Sequence, residues 1–140
     1  MAMYLKANKI RCTTDLIVCP LSVIKTWERE ITRIKDYPEE GPTPRILVYH
    51  GSKRREQLRQ NEGNGEYEPW DYVITTYVVI GTGELNYRRW GRVVLDESHY
   101  IKNGLLKHAP KCAKAAYEIA KRSHYRFCIS AFLSLNYSEL

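Results

Sequence analysis

The chain has 140 residues, 44% of them hydrophobic and 27% charged, which is enough for one domain with a single buried core and too little for two. That balance excludes a disordered chain. It also excludes a membrane span, because the longest apolar runs, such as Leu16 to Cys19 and Val93 to Leu95, are only of strand length. A net charge of +6 leans towards a polyanionic partner without requiring one.

In chain order, Met1 to Ile10 carries Lys6 and Lys9 within a helical pattern and has no apolar block ending in small cleavage-site residues. It does not read as a signal peptide, and the expectation is a soluble intracellular protein. Asp15 to Cys19 (DLIVC) is the first strand-like run. Ser22 to Lys35 follows as an amphipathic helix, with Val23, Trp27, Ile31 and Ile34 on one stripe and Ser22 in an N-cap position. After the connector Tyr37 to Pro44 come a strand at Arg45 to Tyr49 and a charged surface helix at Ser52 to Asn61. The loop Asn61 to Pro69 leads to strands at Tyr72 to Thr75 and Arg92 to Asp96. A helix within Leu105 to Lys121 has its start restricted by Pro110, and a last strand covers Arg126 to Ser130.

The strand runs are apolar on consecutive positions, as strands covered on both faces are. Their alternation with helices predicts an α/β fold with a mostly parallel sheet and helices on both faces. In such a sheet chemistry gathers at the carboxyl ends of the strands. The four cysteines, Cys12, Cys19, Cys112 and Cys128, contain no C-x-x-C pair and read as reduced thiols, with Cys19 and Cys128 in the core. His50, His108 and His124 read as surface histidines. Lys53, Arg54, Arg55 and Arg59 form a basic helix face that suits solvent better than a dedicated nucleic-acid contact. Trp27 and Trp70 read as core or edge aromatics.

The sharpest feature is Val93-Val94-Leu95-Asp96-Glu97-Ser98-His99, a buried strand ending in two acids and a histidine. Adjacent carboxylates repel each other unless a cation or a proton transfer uses them. A nucleoside triphosphatase uses both. One carboxylate, Asp96, sits on the Mg²⁺ side, and its neighbour Glu97 orients and deprotonates the attacking water. His99 could link the pair to a neighbouring segment. The alternative is a charged turn with no chemistry.

Asp96-Glu97-Ser98-His99-Tyr100-Ile101-Lys102-Asn103 resembles the DExH box and following Ile-Lys-Asn of the Swi/Snf-type ATPases of helicase superfamily two. Leu16-Ile17-Val18-Cys19-Pro20-Leu21-Ser22-Val23-Ile24, with Trp27 and Glu30, resembles that family's motif Ia. Asp71-Tyr72-Val73-Ile74-Thr75-Thr76-Tyr77 resembles motif Ib, and Trp90-Gly91-Arg92 also fits. The resemblance covers residues 1 to about 130 and leans towards the repair-associated branch. It implies a RecA-like first motor lobe that binds ATP and Mg²⁺ through Asp96 and Glu97. The lobe would grip double-stranded DNA, free or in chromatin, in a nuclear setting. Pro20, Leu21 and Ser22 would meet the DNA backbone from one turn, and Thr75, Thr76 and Tyr77 from another. Phosphate contact by backbone N–H groups and small hydroxyls supports this. Ser22 as a simple cap and Thr75 and Thr76 as simple β-formers are the competing readings.

Two departures qualify the resemblance. No G-x-x-x-x-G-K-[ST] loop occurs in the chain, so nothing cradles the β and γ phosphates. Ala2 to Lys6 resembles the tail of the helix that follows that loop. The expectation is therefore an incomplete single lobe, residues 1–140, without the phosphate loop or the second motor lobe. The family's Ser-Gly-Thr-Pro stretch is Ser130-Ala131-Phe132-Leu133 here, with Asn136 the most that survives beyond it. The sequence thus predicts part of a DNA translocase that is inactive alone. The rival is a non-catalytic DNA- or protein-binding module. A small α/β hydrolase using Asp96 and His99 lacks a G-x-S-x-G nucleophile.

Overall fold

The computed structural model describes residues 14–33, 43–60, 70–102 and 107–130. Five strands are present: β1 (Asp15–Val18), β2 (Ile46–Val48), β3 (Tyr72–Thr75), β4 (Trp90–Asp96) and β5 (Ser123–Ile129). They form one sheet in the order β2-β3-β1-β4-β5, and every neighbouring pair is parallel. The helices are α1 (Ile24–Arg33), α2 (Arg54–Gln60), α3 (Tyr77–Ile80) and α4 (Lys111–Lys121), with 3₁₀ turns at Leu21–Val23 and Ser98–Ile101. This is the RecA-like α/β architecture that the sequence predicts.

Each face of the sheet has its own apolar cluster. On one, Ile24 and Ile31 of α1 pack on Ile17, Cys19 and Ile74, with Trp27 and Val94 at the margin. On the other, Ala115, Ala116 and Ile119 of α4 and Tyr77, Val79 and Ile80 of α3 pack on Leu16, Val18, Val73, Val93 and Leu95. Helices thus lie on both faces because successive positions of β1 and β4 are apolar and point to opposite sides.

Several local expectations are corrected. Ser22 is not a helix cap. The segment enters as a 3₁₀ turn with Pro20 at its N-cap position, no side-chain cap bond forms, and Ser22 is exposed. Proline at φ −58° sets the turn, and Val23 N–H closes it on the Pro20 carbonyl at 3.1 Å. Helix α4 begins at Lys111, directly after Pro110, because proline is accommodated only at a helix start. Strand β5 runs three residues earlier than expected, from Ser123, and ends at Ile129. Cys128 is exposed instead of buried, because β5 is the outermost strand and only its Ser123 is buried. Helix α3 falls on a Tyr-Val-Val-Ile run for which the sequence reading gave no helix. Thr76 caps it, accepting from Val79 N–H at 3.4 Å. The expectations on Met1 to Ile10, Cys12, Ile34, Lys35, Asn61 to Pro69, Asn103, Leu105, Ala131 to Leu133 and Asn136 lie outside the described residues.

Candidate functional site

All five strands point the same way, so their carboxyl ends share one rim. Val18 is in register with both Thr75 and Leu95, and Asp96 with Ile129. One residue further on, Cys19, Thr76 and Asp96 stand side by side. From β1 the chain crosses towards the β2 edge, and from β4 it crosses towards the β5 edge. The switch in direction falls between these two adjacent strands, where the crevice of an open α/β sheet lies. The sequence-predicted residues Pro20, Leu21, Ser22, Thr75, Thr76, Tyr77, Asp96, Glu97 and His99 therefore all sit on this rim.

Asp96 is half-buried and held from three sides. Oδ2 accepts from the indole Nε1 of Trp27 on α1 at 2.8 Å, and Oδ1 accepts from the backbone N–H of Glu97 at 2.9 Å. Its own carbonyl accepts from the hydroxyl of Tyr77 at 2.6 Å. No lysine or arginine among the described residues forms an ion pair with Asp96 or Glu97. The carboxylate is oriented by neutral donors, and its charge is left for something else. Cys19 beside it has its thiol pushed up to about 12, first by burial and then by the Asp96 charge. Burial and then the same charge also raise the Tyr77 phenol.

Glu97 adopts φ 53°, ψ 49°, the only non-glycine positive φ among the described residues. A left-handed glutamate costs on the order of 1–3 kcal/mol, and such strain concentrates at functional sites. It turns the chain off β4 at once, into the 3₁₀ turn that carries His99 and Tyr100. His99 Nδ1 lies 3.1 Å from Glu97 Oε2, with the Glu97 side chain one-third exposed. The His99 ring stacks on Tyr100 at 4.6 Å, and Tyr100 stacks on Tyr77 at 5.1 Å. His99 thus lies between Glu97 and Tyr100, whose ring stacks on Tyr77 of the turn after β3.

The rim turns differ in what they expose. Leu21 is 61% and Val78 82% exposed, whereas Thr75 and Thr76 are buried with their side chains engaged internally. Thr75 Oγ1 donates to the Tyr49 carbonyl at 2.8 Å, and Thr76 is the α3 cap. Any outside contact from this turn therefore falls to backbone groups and to Val78, which the sequence reading passed over. Trp27, read there as a core or edge aromatic, donates a hydrogen bond to Asp96. Their separation of 69 positions left no local signal. The basic helix face is also partly spoken for. Arg54 and Arg55 both pair with Glu84, which Tyr49 joins at 2.7 Å. The Arg59 side chain lies outside the described ones.

Magnesium is usually held by one or two carboxylates together with substrate phosphates and water. The described residues contain no group of three His, Cys, Asp or Glu that could hold a metal ion by themselves. Asp96 fits the first arrangement, a partial shell completed by a phosphate-bearing ligand. Among the described residues no helix is long and apolar enough to cross a membrane.

Comparison with known proteins shows what the chain as a whole is similar to. The sequence profile of the SNF2-related domain matches residues 1–132. Over 101 residues the chain is 37% identical to chromodomain-helicase-DNA-binding protein 9 of Homo sapiens, covering 63% of this chain and 3% of that protein. It is 29% identical over 123 residues to DNA repair protein RAD5B of Arabidopsis thaliana, covering 82% of this chain and 8% of that one. The SWI2/SNF2 ATPase core of Sulfolobus solfataricus, solved in complex with double-stranded DNA, matches with a TM-score of 0.66 and 28% identity. That match covers 94% of this chain and 24% of the other. The chain spans less than a tenth of the length of these two curated relatives.

Proposed function

The chain belongs to the SNF2-related domain family, and we propose that it forms the metal-and-water side of the first lobe of a DNA-dependent ATPase motor. In this reading residues 1–140 are a partial lobe of a chromatin-remodelling or DNA-repair ATPase that works in the nucleus on double-stranded DNA. The observation that supports it best is the rim itself. Two adjacent acids with no lysine or arginine partner among the described residues stand at the switch point, directly beside the turns after β1 and β3.

Each rim residue has a part in this reading. Bound Mg²⁺ and ATP supply the phosphoryl group and neutralise its charge. Asp96 offers a carboxylate whose rotamer the Trp27 and Glu97 N–H groups fix, so no reorganisation is needed when the metal side is engaged. Glu97 orients a water and takes its proton, and the His99 ring holds the Glu97 carboxylate in place. The turn Pro20–Ser22 and the backbone at Thr76 to Val78 face DNA phosphates, where contact needs no sequence readout.

Fluorescence anisotropy with a short duplex tests the DNA part. Weak, sequence-independent binding that falls steeply with salt is expected, since each neutralised phosphate releases condensed counterions. Binding that is flat between low and moderate salt, or absent at low salt, contradicts the reading. The 140 residues contain no G-x-x-x-x-G-K-[ST] sequence, and this favours a second reading, a non-catalytic module that binds DNA or a partner protein. Turnover separates the two. The chain by itself should show negligible ATPase activity under both. A longer polypeptide that adds a phosphate loop and the second lobe should hydrolyse ATP under the first reading only, and Glu97→Gln should abolish that turnover.

A further inference from the structure

Trp27 stands out among the three tryptophans. The indole N–H groups of Trp70 and Trp90 are buried and find no partner among the described residues, whereas that of Trp27 donates to Asp96 Oδ2 at 2.8 Å. Trp27 lies one helical turn beyond Val23, the last residue of the 3₁₀ turn on the rim. Its helix is anchored to the sheet face by Ile24 and Ile31, both nearly fully buried. The indole is thus a rigid arm between the first rim turn and the carboxylate. A neutral donor at this place has a consequence that a lysine or arginine would not. It fixes the rotamer of Asp96 without neutralising it, leaving the acid able to attract a cation.

We propose that Trp27 is a positioning residue for Asp96: its indole N–H locks the carboxylate against the Glu97 N–H and ties it to the helix behind the Pro20–Val23 turn. The proposal rests on the metal-side reading of Asp96. A shift of α1 on engagement of that turn is transmitted to Asp96 by one hydrogen bond, with no intermediate side chain. The second wire, from Tyr77 to the Asp96 carbonyl, holds the backbone and not the carboxylate.

The substitution Trp27→Phe keeps a ring on the α1 face and removes only the donor. Two readouts on the isotope-labelled chain separate positioning from packing. The first is hydrogen exchange of the Glu97 amide, which donates to the freed carboxylate. It should quicken about five- to tenfold in the variant, the ratio carried by one net hydrogen bond. The amides of Leu16, Ile17 and Val18 in the sheet should keep their protection. The second is paramagnetic broadening by Mn²⁺, used as the metal probe. In the natural chain the Trp27 indole and Glu97 amide signals should broaden before those of Trp70 and Trp90. In the variant the Mn²⁺ concentration needed to broaden Glu97 should rise several-fold. Unchanged Glu97 exchange and unchanged Mn²⁺ response would overturn the positioning role and leave the metal-side reading intact. Exchange that quickens equally along β1 would reduce Trp27 to packing and overturn it as well. Failure of Mn²⁺ to broaden either signal in the natural chain would instead remove the metal-side reading of Asp96, and the proposal with it.

Discussion

The two rims of the sheet treat their carboxylates in opposite ways. At the amino rim, Asp15 is nearly fully buried and saturated by one residue. The Arg92 backbone N–H donates to Oδ1 at 2.8 Å, Nε donates to Oδ2 at 2.8 Å, and Nη2 also pairs with Oδ2. At the carboxyl rim, Asp96 and Glu97 sit side by side with neutral donors and a histidine, and one of them occupies a strained backbone conformation. Strand β4 contributes to both arrangements, so the contrast is not one of environment in general. One rim is closed by an internal ion pair that staples adjacent strands. The other holds two adjacent acids with no lysine or arginine partner among the described residues, the arrangement that the proposed cation-dependent site requires.

Breaking the amino rim should cost most. Arg92→Met leaves Asp15 buried without its partner and should destabilise the chain by about 3–5 kcal/mol in urea unfolding. A loss below 1 kcal/mol would mean that the pair is not a staple. Glu84, held by two arginines and the Tyr49 hydroxyl, provides an intermediate case. Arg54 first, then Arg55, hold its carboxyl well below the usual carboxylate range. Glu84→Gln should cost about 1–3 kcal/mol at neutral pH. Because the folded-state pKa is depressed, this stabilisation is complete above the unfolded value of about 4.3 and is lost as pH falls below it. The variant should therefore show a flatter stability profile between about pH 5 and pH 3 than the natural chain. Equal slopes would argue against the pairing.

At the carboxyl rim the sign should reverse. Glu97→Gly removes both a repelling charge and the left-handed strain, and should stabilise the fold by about 1 kcal/mol. Destabilisation there would show that Glu97 holds structure and not function. Smallest of all, Ser22→Ala should change stability by less than about 0.5 kcal/mol, since no capping bond exists to lose. A true cap would cost about 1 kcal/mol, so this variant also measures the sequence reading against the structure.

Much of the fold was legible because buried parallel strands leave a dense local record. Leu16-Ile17-Val18 and Val93-Val94-Leu95 are apolar on consecutive residues and bounded by turn formers, and both are strands. The order of the rim followed from topology alone, which is why Asp96 and Pro20 could be placed together. Features that depend on neighbours in space were not legible. Phe127 and Cys128 looked like core residues, but the outermost position of β5 leaves them exposed. The short helix after Thr76 was not anticipated, although Thr76 itself, a standard cap residue, was a signal that could have been used. Trp27 could not be assigned to Asp96 because the contact joins α1 to the end of β4 across the sheet.

Amide chemical-shift mapping with a short duplex at low salt tests the division between rims most directly. The account predicts shifts at Leu21 to Val23 and Thr76 to Val78, with the Trp27 indole following on the same binding curve. The amides of Asp15 and Arg92, at the closed rim, should stay where they are. Shifts centred on Asp15, Arg92 and the start of β5, with the Pro20–Val23 turn unmoved, would contradict it.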